Sequence, residues 1–174
     1  MVKPCFSETW LTEEDRIGLD IQGYKLTTNC FGKGRGLATY YRDSEFIHVT
    51  DVKEKEYQMT KLKSKHIDVI SVYRSKEAKS NYVTKALDEL IDIGRDTVIT
   101  GDFNICFKAD KKHKVIETLE IQGFKQFVNE ATHIKGGTID HMYSNIVSGK
   151  MDVTLYSPYY CAHDHDALLS VVSV

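Results

Sequence analysis

Proline is almost missing from this chain, with only Pro4 and Pro158 in 174 residues. No Gly/Ser-rich linker divides the sequence, no internal repeat recurs and no low-complexity tract appears. A single domain spanning residues 1–174 is therefore expected, not a string of modules. Cysteines are few and scattered. Cys5, Cys30, Cys106 and Cys161 form no C-x-x-C pair and read as reduced, mostly buried thiols. No apolar run approaches the roughly 18 residues of a membrane span. MVKPCFSETW lacks the hydrophobic segment of a signal peptide, so the chain reads as intracellular, nuclear or cytoplasmic, and not secreted. Basic charge is not in excess either, since 23 Lys+Arg stand against 25 Asp+Glu for a net charge of −2. No bulk basicity marks a nucleic-acid binder, although an enzyme that must release its product needs a local basic groove and not a basic average.

What is present is an ordinary globular balance, 41% hydrophobic and 28% charged, on a chain long enough to bury a core without staples. Short β-rich runs bounded by Gly, Asn, Asp and Ser predict strands at 3–7, 24–28, 36–41, 46–50, 58–62, 67–73, 97–101, 123–128, 138–144, 151–156 and 168–174. Val83, Ala86, Leu87, Leu90 and Ile91 share one face at helical spacing and predict a helix over 81–93. Ser80 or Asn81 would cap that helix and Gly94 would stop it. A weaker helix is predicted over 115–121. Many strands and few helices in mixed order point to an α/β sandwich with helices on its outer faces. Lys61, Lys63 and Lys65 read as a solvated face. Lys108, Lys111, Lys112 and Lys114 follow GDFN directly and read either as a solvated face or as the flank of a phosphate site.

The segment TVITGDFN carries the sharpest local signal. A β-branched run stops at Gly101 and delivers Asp102 and Asn104 with Phe103 between them. In an extended chain, residues two apart face the same side, so Asp102 and Asn104 would meet at one spot while Phe103 turns into packing. Polar clusters stand at three other strand ends: FSETWL with Glu8, VISVYRS with Tyr73 and Arg74, and the pair TIDHMYS and AHDHDALL with Asp140, Asp164 and His165. In α/β architectures, strand ends are where ligands collect.

Taken in order, S-E-T-W, strand-Y-R, G-D-F-N, T-H-x-x-G-G-x-I-D-H and H-D-H-x-A resemble the endonuclease/exonuclease/phosphatase superfamily, the DNase I-like proteins. The wording is nearest to the endonuclease domains of non-LTR retrotransposons and related mobile elements. The resemblance implies a DNase I-like two-sheet α/β sandwich and a Mg²⁺- or Mn²⁺-dependent phosphodiester hydrolase, a DNA-nicking endonuclease with DNA as substrate. A reverse transcriptase or helicase domain would be its neighbour in a full-length element. It assigns Glu8 and Asp164 to the metal, an ion suited to oxygen ligands. Tyr73 goes to the scissile phosphate, with Arg74 and Thr132 as further phosphate contacts. Asp102 would orient or deprotonate water, Asn104 would hold the phosphoryl group, and Asp140 would orient the catalytic His165.

The pattern departs from the family at its start, where an earlier Asn-bearing strand and its helix would stand before SETW. An N-terminally truncated domain, folded poorly or only partly active, is the expectation from that departure. Two other readings accompany the endonuclease: a phosphatase of small or lipid phosphoesters on the same fold, and a catalytically inactive remnant. HDHD also admits two registers. Asp164-His165 is preferred because Ala167-Leu168-Leu169 then follows as the last strand.

Overall fold

The computed structural model describes residues 5–9, 11, 19–32, 34–147, 150–156 and 164–173. Its centre is a run of β-branched sequence. β6 (Ile67–Arg74) and β7 (Asp96–Asp102) lie side by side and parallel, with Val69 beside Val98 and Ile70 beside Ile99. Parallel neighbours need a crossover, and the helix α1 (Ser80–Leu90) supplies it. Around this pair, β4 (Phe46–Lys53), β5 (Tyr57–Ser64), β8 (Lys125–Gln126) and β9 (Asp140–Ser144) add antiparallel strands in the order β4-β5-β6-β7-β9-β8.

Alternation along the strands gives the sheet two buried faces. Met59, Ile70, Val72, Ile99 and Tyr143 pack on one side with Val83, Leu87 and Leu90 of α1 and Val115, Ile116 and Leu119 of α2 (Lys114–Ile121). The opposite face meets two further sheets. One is three-stranded, with β1 (Cys5–Ser7), β3 (Gly36–Tyr41) and β2 (Lys25–Cys30) in that spatial order. The other is the hairpin of β10 (Lys150–Tyr156) and β11 (Ala167–Ser173). Val98, Val128 and Met142 bury against Met151, Val153, Leu155 and Leu168 of that hairpin. No helix among the described residues is long and apolar enough to cross a membrane.

The expected sandwich is present, and its boundaries differ where tertiary contacts intervene. Lys3 and Pro4 of the first expected strand lie outside the described residues. The strand expected over 123–128 shrinks to Lys125–Gln126 because the Gln126 side-chain oxygen accepts from Val128 N, 3.1 Å away, and Met142 N at 3.0 Å. Neither Ser80 nor Asn81 caps α1. Lys79 holds the cap position without a side-chain bond, Ser80 Oγ lies 3.4 Å from His113 Nε2, and Asn81 Oδ1 accepts from Lys114 Nζ at 2.6 Å. α1 ends at Leu90, short of Gly94, where the buried Lys61 ammonium donates to the Leu90 carbonyl at 2.6 Å. Lys61 is thus no part of a solvated face. It lies 3.3 Å from Asp68 and 3.0 Å from Asp92.

Candidate active site

β6 and β7 end where β9 begins, and their register sets Tyr73 beside Asp102 and Asp102 beside Asp140 in one row across the sheet. Gly101 makes this row possible. Its φ is +143°, and a Cβ there would stand 1.8 Å from the Val72 carbonyl oxygen. Only glycine admits so close a neighbouring strand just before the acid.

The row continues into the loop after β7, but not as an extended chain. The strand stops at Asp102, and Asn104 takes a φ of +50°, a left-handed conformation that Asn tolerates better than most residues. Asp102 Oδ1 accepts from Asn104 N at 2.8 Å and Oδ2 from Asn104 Nδ2 at 2.9 Å. The pair does meet at one spot, through an Asx-type turn and not through strand alternation. Nδ2 also donates to the Arg74 carbonyl at 3.0 Å, so both amide hydrogens have protein acceptors. Phe103 turns inward as expected. It is fully buried, its N–H donates to Ile139 O at 3.0 Å, and its ring stacks on His141.

Asp140 opens β9, and its Oδ2 accepts from His165 Nδ1 at 2.9 Å. That bond uses His165 of the H-D-H-D run; His163 lies outside the described residues. It also pushes the His165 imidazole well above its ordinary pKa and favours the charged ring. Burial, and then the Asp140 charge, push Asp102 up from the carboxylate range. Glu8 follows β1 with a φ of +52°, and its Oε1 accepts from the Tyr73 hydroxyl at 3.2 Å. Burial and the charges of Glu8 and Asp102 hold that phenol protonated.

Glu8, Tyr73, Asp102, Asn104, Asp140 and His165 therefore gather at the strand ends, with the exposed Asp164 3.9 Å from His165 Nε2. Two residues expected at the phosphate stand behind this group. Arg74 alternates to the helix side of β6, where Nη1 donates to Phe103 O at 3.0 Å and Nη2 to Ala78 O at 2.9 Å. Thr132 is fully buried; its hydroxyl accepts from Ile139 N and Asp140 N, each at 3.1 Å. Both brace the backbone that carries Asp102 and Asp140. Two histidines gained no role from the sequence. His141 packs under Phe103, and His133 stands edge-on to His165 with ring centroids 4.9 Å apart. The T-H of EATHIKGG was the available signal for His133.

Asp102, Asp140 and His165 each bring one donor atom within 4.8 Å of the others, and no lysine or arginine among the described residues pairs with Asp102 or Asp140. Two carboxylates and an imidazole this close together offer a divalent cation a set of donors.

No protein-family model matches the chain, and no curated protein matches it in sequence. Solved structures do match. An AP endonuclease from Archaeoglobus fulgidus superposes with a TM-score of 0.69 at 18% identity, over 99% of this chain and 89% of its own. The endonuclease domain of TRAS1, a telomere-specific non-LTR retrotransposon, gives 0.64 at 11% identity, over 86% and 78%. An endonuclease/exonuclease/phosphatase family protein from Leptotrichia buccalis C-1013-b gives 0.64 at 11%, over 99% and 87%. This is the DNase I-like fold. At such identities the likeness is one of architecture alone.

Proposed function

We propose that the chain is a divalent-metal-dependent phosphodiester hydrolase acting on DNA, a nicking endonuclease of mobile-element type. The observation that carries this reading is the row at the strand ends. A buried carboxylate, Asp102, stands next to an Asp140–His165 couple, with the Tyr73–Glu8 pair on its other side. The match to an AP endonuclease and to a retrotransposon endonuclease supports nucleic acid as substrate. So do the exposed Lys108, Lys111, Lys112 and Lys114, which follow the Asp102 loop.

Each side chain has a chemical part in such a hydrolysis. Asp102, with its raised proton affinity and its orientation fixed by Asn104, takes the proton of the attacking water. His165 holds its charge through Asp140 and donates from Nε2 to a phosphoryl oxygen, where negative charge builds as the P–O bond breaks. Tyr73 stays protonated and acts as a hydrogen-bond donor, not as a nucleophile. Glu8, and with it Asp102, would hold Mg²⁺ or Mn²⁺, which supplies charge neutralisation at the phosphate when bound.

The test is nicking of supercoiled plasmid with Mg²⁺, with and without EDTA. EDTA should abolish nicking, and His165→Ala or Asp102→Ala should lower the rate by about 10²–10⁴. A variant that nicks as fast as the parent refutes the assignment. Competition by short DNA, and not by small phosphate esters, separates a nuclease from a phosphatase on the same fold.

A further inference from the structure

A second donor cluster lies beside the row and differs from it in chemistry. His133 and His165 face each other in an isolated antiparallel bridge, and Asp164 reaches across both rings. His133 Nε2 is 3.4 Å from Asp164 Oδ2, and His165 Nε2 is 3.9 Å from Asp164 Oδ1. One donor atom from each residue falls within 4.8 Å of the others. Two donors each about 2.1 Å from a tetrahedral cation stand about 3.4 Å apart, so the cluster is near the spacing of a chelate.

The surroundings add an independent sign. His165 donates its other ring nitrogen, Nδ1, to Asp140 at 2.9 Å. A carboxylate behind a histidine is the arrangement that orients imidazole ligands toward a metal and raises their basicity. The main chain that carries both rings is also tied together. Ile134 N donates to Asp164 O at 2.9 Å and Asp166 N to Thr132 O at 2.7 Å, on the two sides of the bridge. Asp164 is exposed, so the cluster opens to solvent.

From this geometry we infer that His133, Asp164 and His165 form a chelating site for a borderline transition cation such as Zn²⁺ or Co²⁺, which shares His165 with the Asp102–Asp140 group and does not involve Glu8. Two imidazoles and one carboxylate suit such ions better than Mg²⁺. Binding displaces protons from the Nε2 atoms of both rings. His133 Nδ1 now accepts from Lys135 N at 3.1 Å. On chelation Nδ1 takes the proton, and Lys135 N, in an exposed turn, bonds to water instead. A cation seated there occupies His165 Nε2, the nitrogen that the proposed hydrolysis uses. The site would therefore inhibit the enzyme that Mg²⁺ supports. That consequence rests on the functional reading above; the binding itself does not.

The experiment titrates the full chain with Co²⁺ and follows its visible absorption, with Zn²⁺ and Mg²⁺ as competitors. One equivalent of Co²⁺ should develop bands that Zn²⁺ removes and excess Mg²⁺ leaves. His133→Phe keeps an aromatic ring in the contact, and Asp164→Asn keeps the side chain's shape. Each should weaken Co²⁺ binding about 10-fold or more, as loss of a metal-site partner does, without moving the thermal melt. Glu8→Gln should bind Co²⁺ as the parent does. Unchanged affinity in His133→Phe, or loss of the signal in Glu8→Gln, would overturn the site. In a parallel plasmid assay, Zn²⁺ should inhibit the parent and not His133→Phe. Absence of nicking by the parent would count against the nuclease alone, because the cobalt titration judges the site without it.

Discussion

The Phe103 ring lies face to face on the imidazole of His141, with centroids 4.9 Å apart and planes 13° from parallel. His141 is fully buried. Its Nε2–H donates to Ile105 O at 2.8 Å and to Thr138 O at 3.1 Å, while Nδ1 accepts from the Tyr143 hydroxyl at 3.1 Å. One neutral tautomer satisfies every bond, and the ring forms the floor under the loop that carries Asp102 and Asn104.

Acid should therefore attack the fold through His141. Burial lowers its pKa from 6.5 to about 4. Above about pH 6.5 the ring is neutral both folded and unfolded, and it adds no pH dependence. Between about 6.5 and 4 the unfolded chain binds a proton that the folded chain refuses, so stability falls as pH falls. The full loss is about 3 kcal/mol. Urea unfolding at pH 7 and pH 4.5 measures it. His141→Gln should be weaker than the parent at pH 7 and should lack this share of the acid loss.

At Gly101 the expected change is severe. An alanine Cβ there meets the Val72 carbonyl oxygen at 1.8 Å, in a backbone conformation with φ +143° that L side chains rarely adopt. β6 and β7 would have to separate at the residue before Asp102. Gly101→Ala should cost at least about 3 kcal/mol, combining strain and overpacking. A denaturation midpoint equal to the parent's would show that the strands can part without penalty.

The buried Asp68 gives a graded prediction. Arg95 Nη2 donates to its Oδ1 at 2.7 Å, and Lys61 stands 3.3 Å from Oδ2, so one carboxylate answers two cations from β5 and the turn before β7. Asp68→Ala leaves the buried Lys61 with Asp92 as its one charged partner and should cost about 3–5 kcal/mol. Lys61→Met keeps the packing, and Arg95 still pairs with Asp68, so its loss should be smaller. Equal losses in urea unfolding would mean that Arg95 does not hold Asp68 by itself.

These cases show what was legible in the sequence. β-branched runs broken by Gly and Asp gave most strands, because strand propensity and turn chemistry are local. The order of GDFN, IDH and HDH pointed to the strand-end row, because GDFN closes β7, IDH opens β9 and HDH comes just before β11. Lys61 was misread because its partners Asp68 and Asp92 come from other elements, and nothing beside it in the chain shows them. Ser80 and Asn81 are good capping residues, but contacts with His113 and Lys114 of the second helix outcompete the cap. Asn104 reaches Asp102 through a left-handed turn that alternation could not foresee. His141 and His133 take their positions from strand pairing, which spacing alone does not reveal.

Arg74 separates a phosphate clamp from a brace. Its guanidinium is buried and ties Phe103 O to Ala78 O, the two main-chain oxygens that fix the loop after β7 against the segment before α1. Lysine has one compact head and cannot bridge both carbonyls in the same plane. Arg74→Lys should therefore lose about 1–3 kcal/mol in urea unfolding, the range for breaking buried hydrogen bonds. If the chain nicks DNA as proposed, kcat should fall because Asp102 and Asn104 lose their support. KM and its dependence on salt should stay close to the parent's. A side chain that neutralised a phosphate would behave differently, since its loss lowers the slope of log affinity against log salt by about one. Nicking rates at several salt concentrations, read beside the melts, decide between the two roles. A preserved melt with a shallower salt slope would return Arg74 to the substrate.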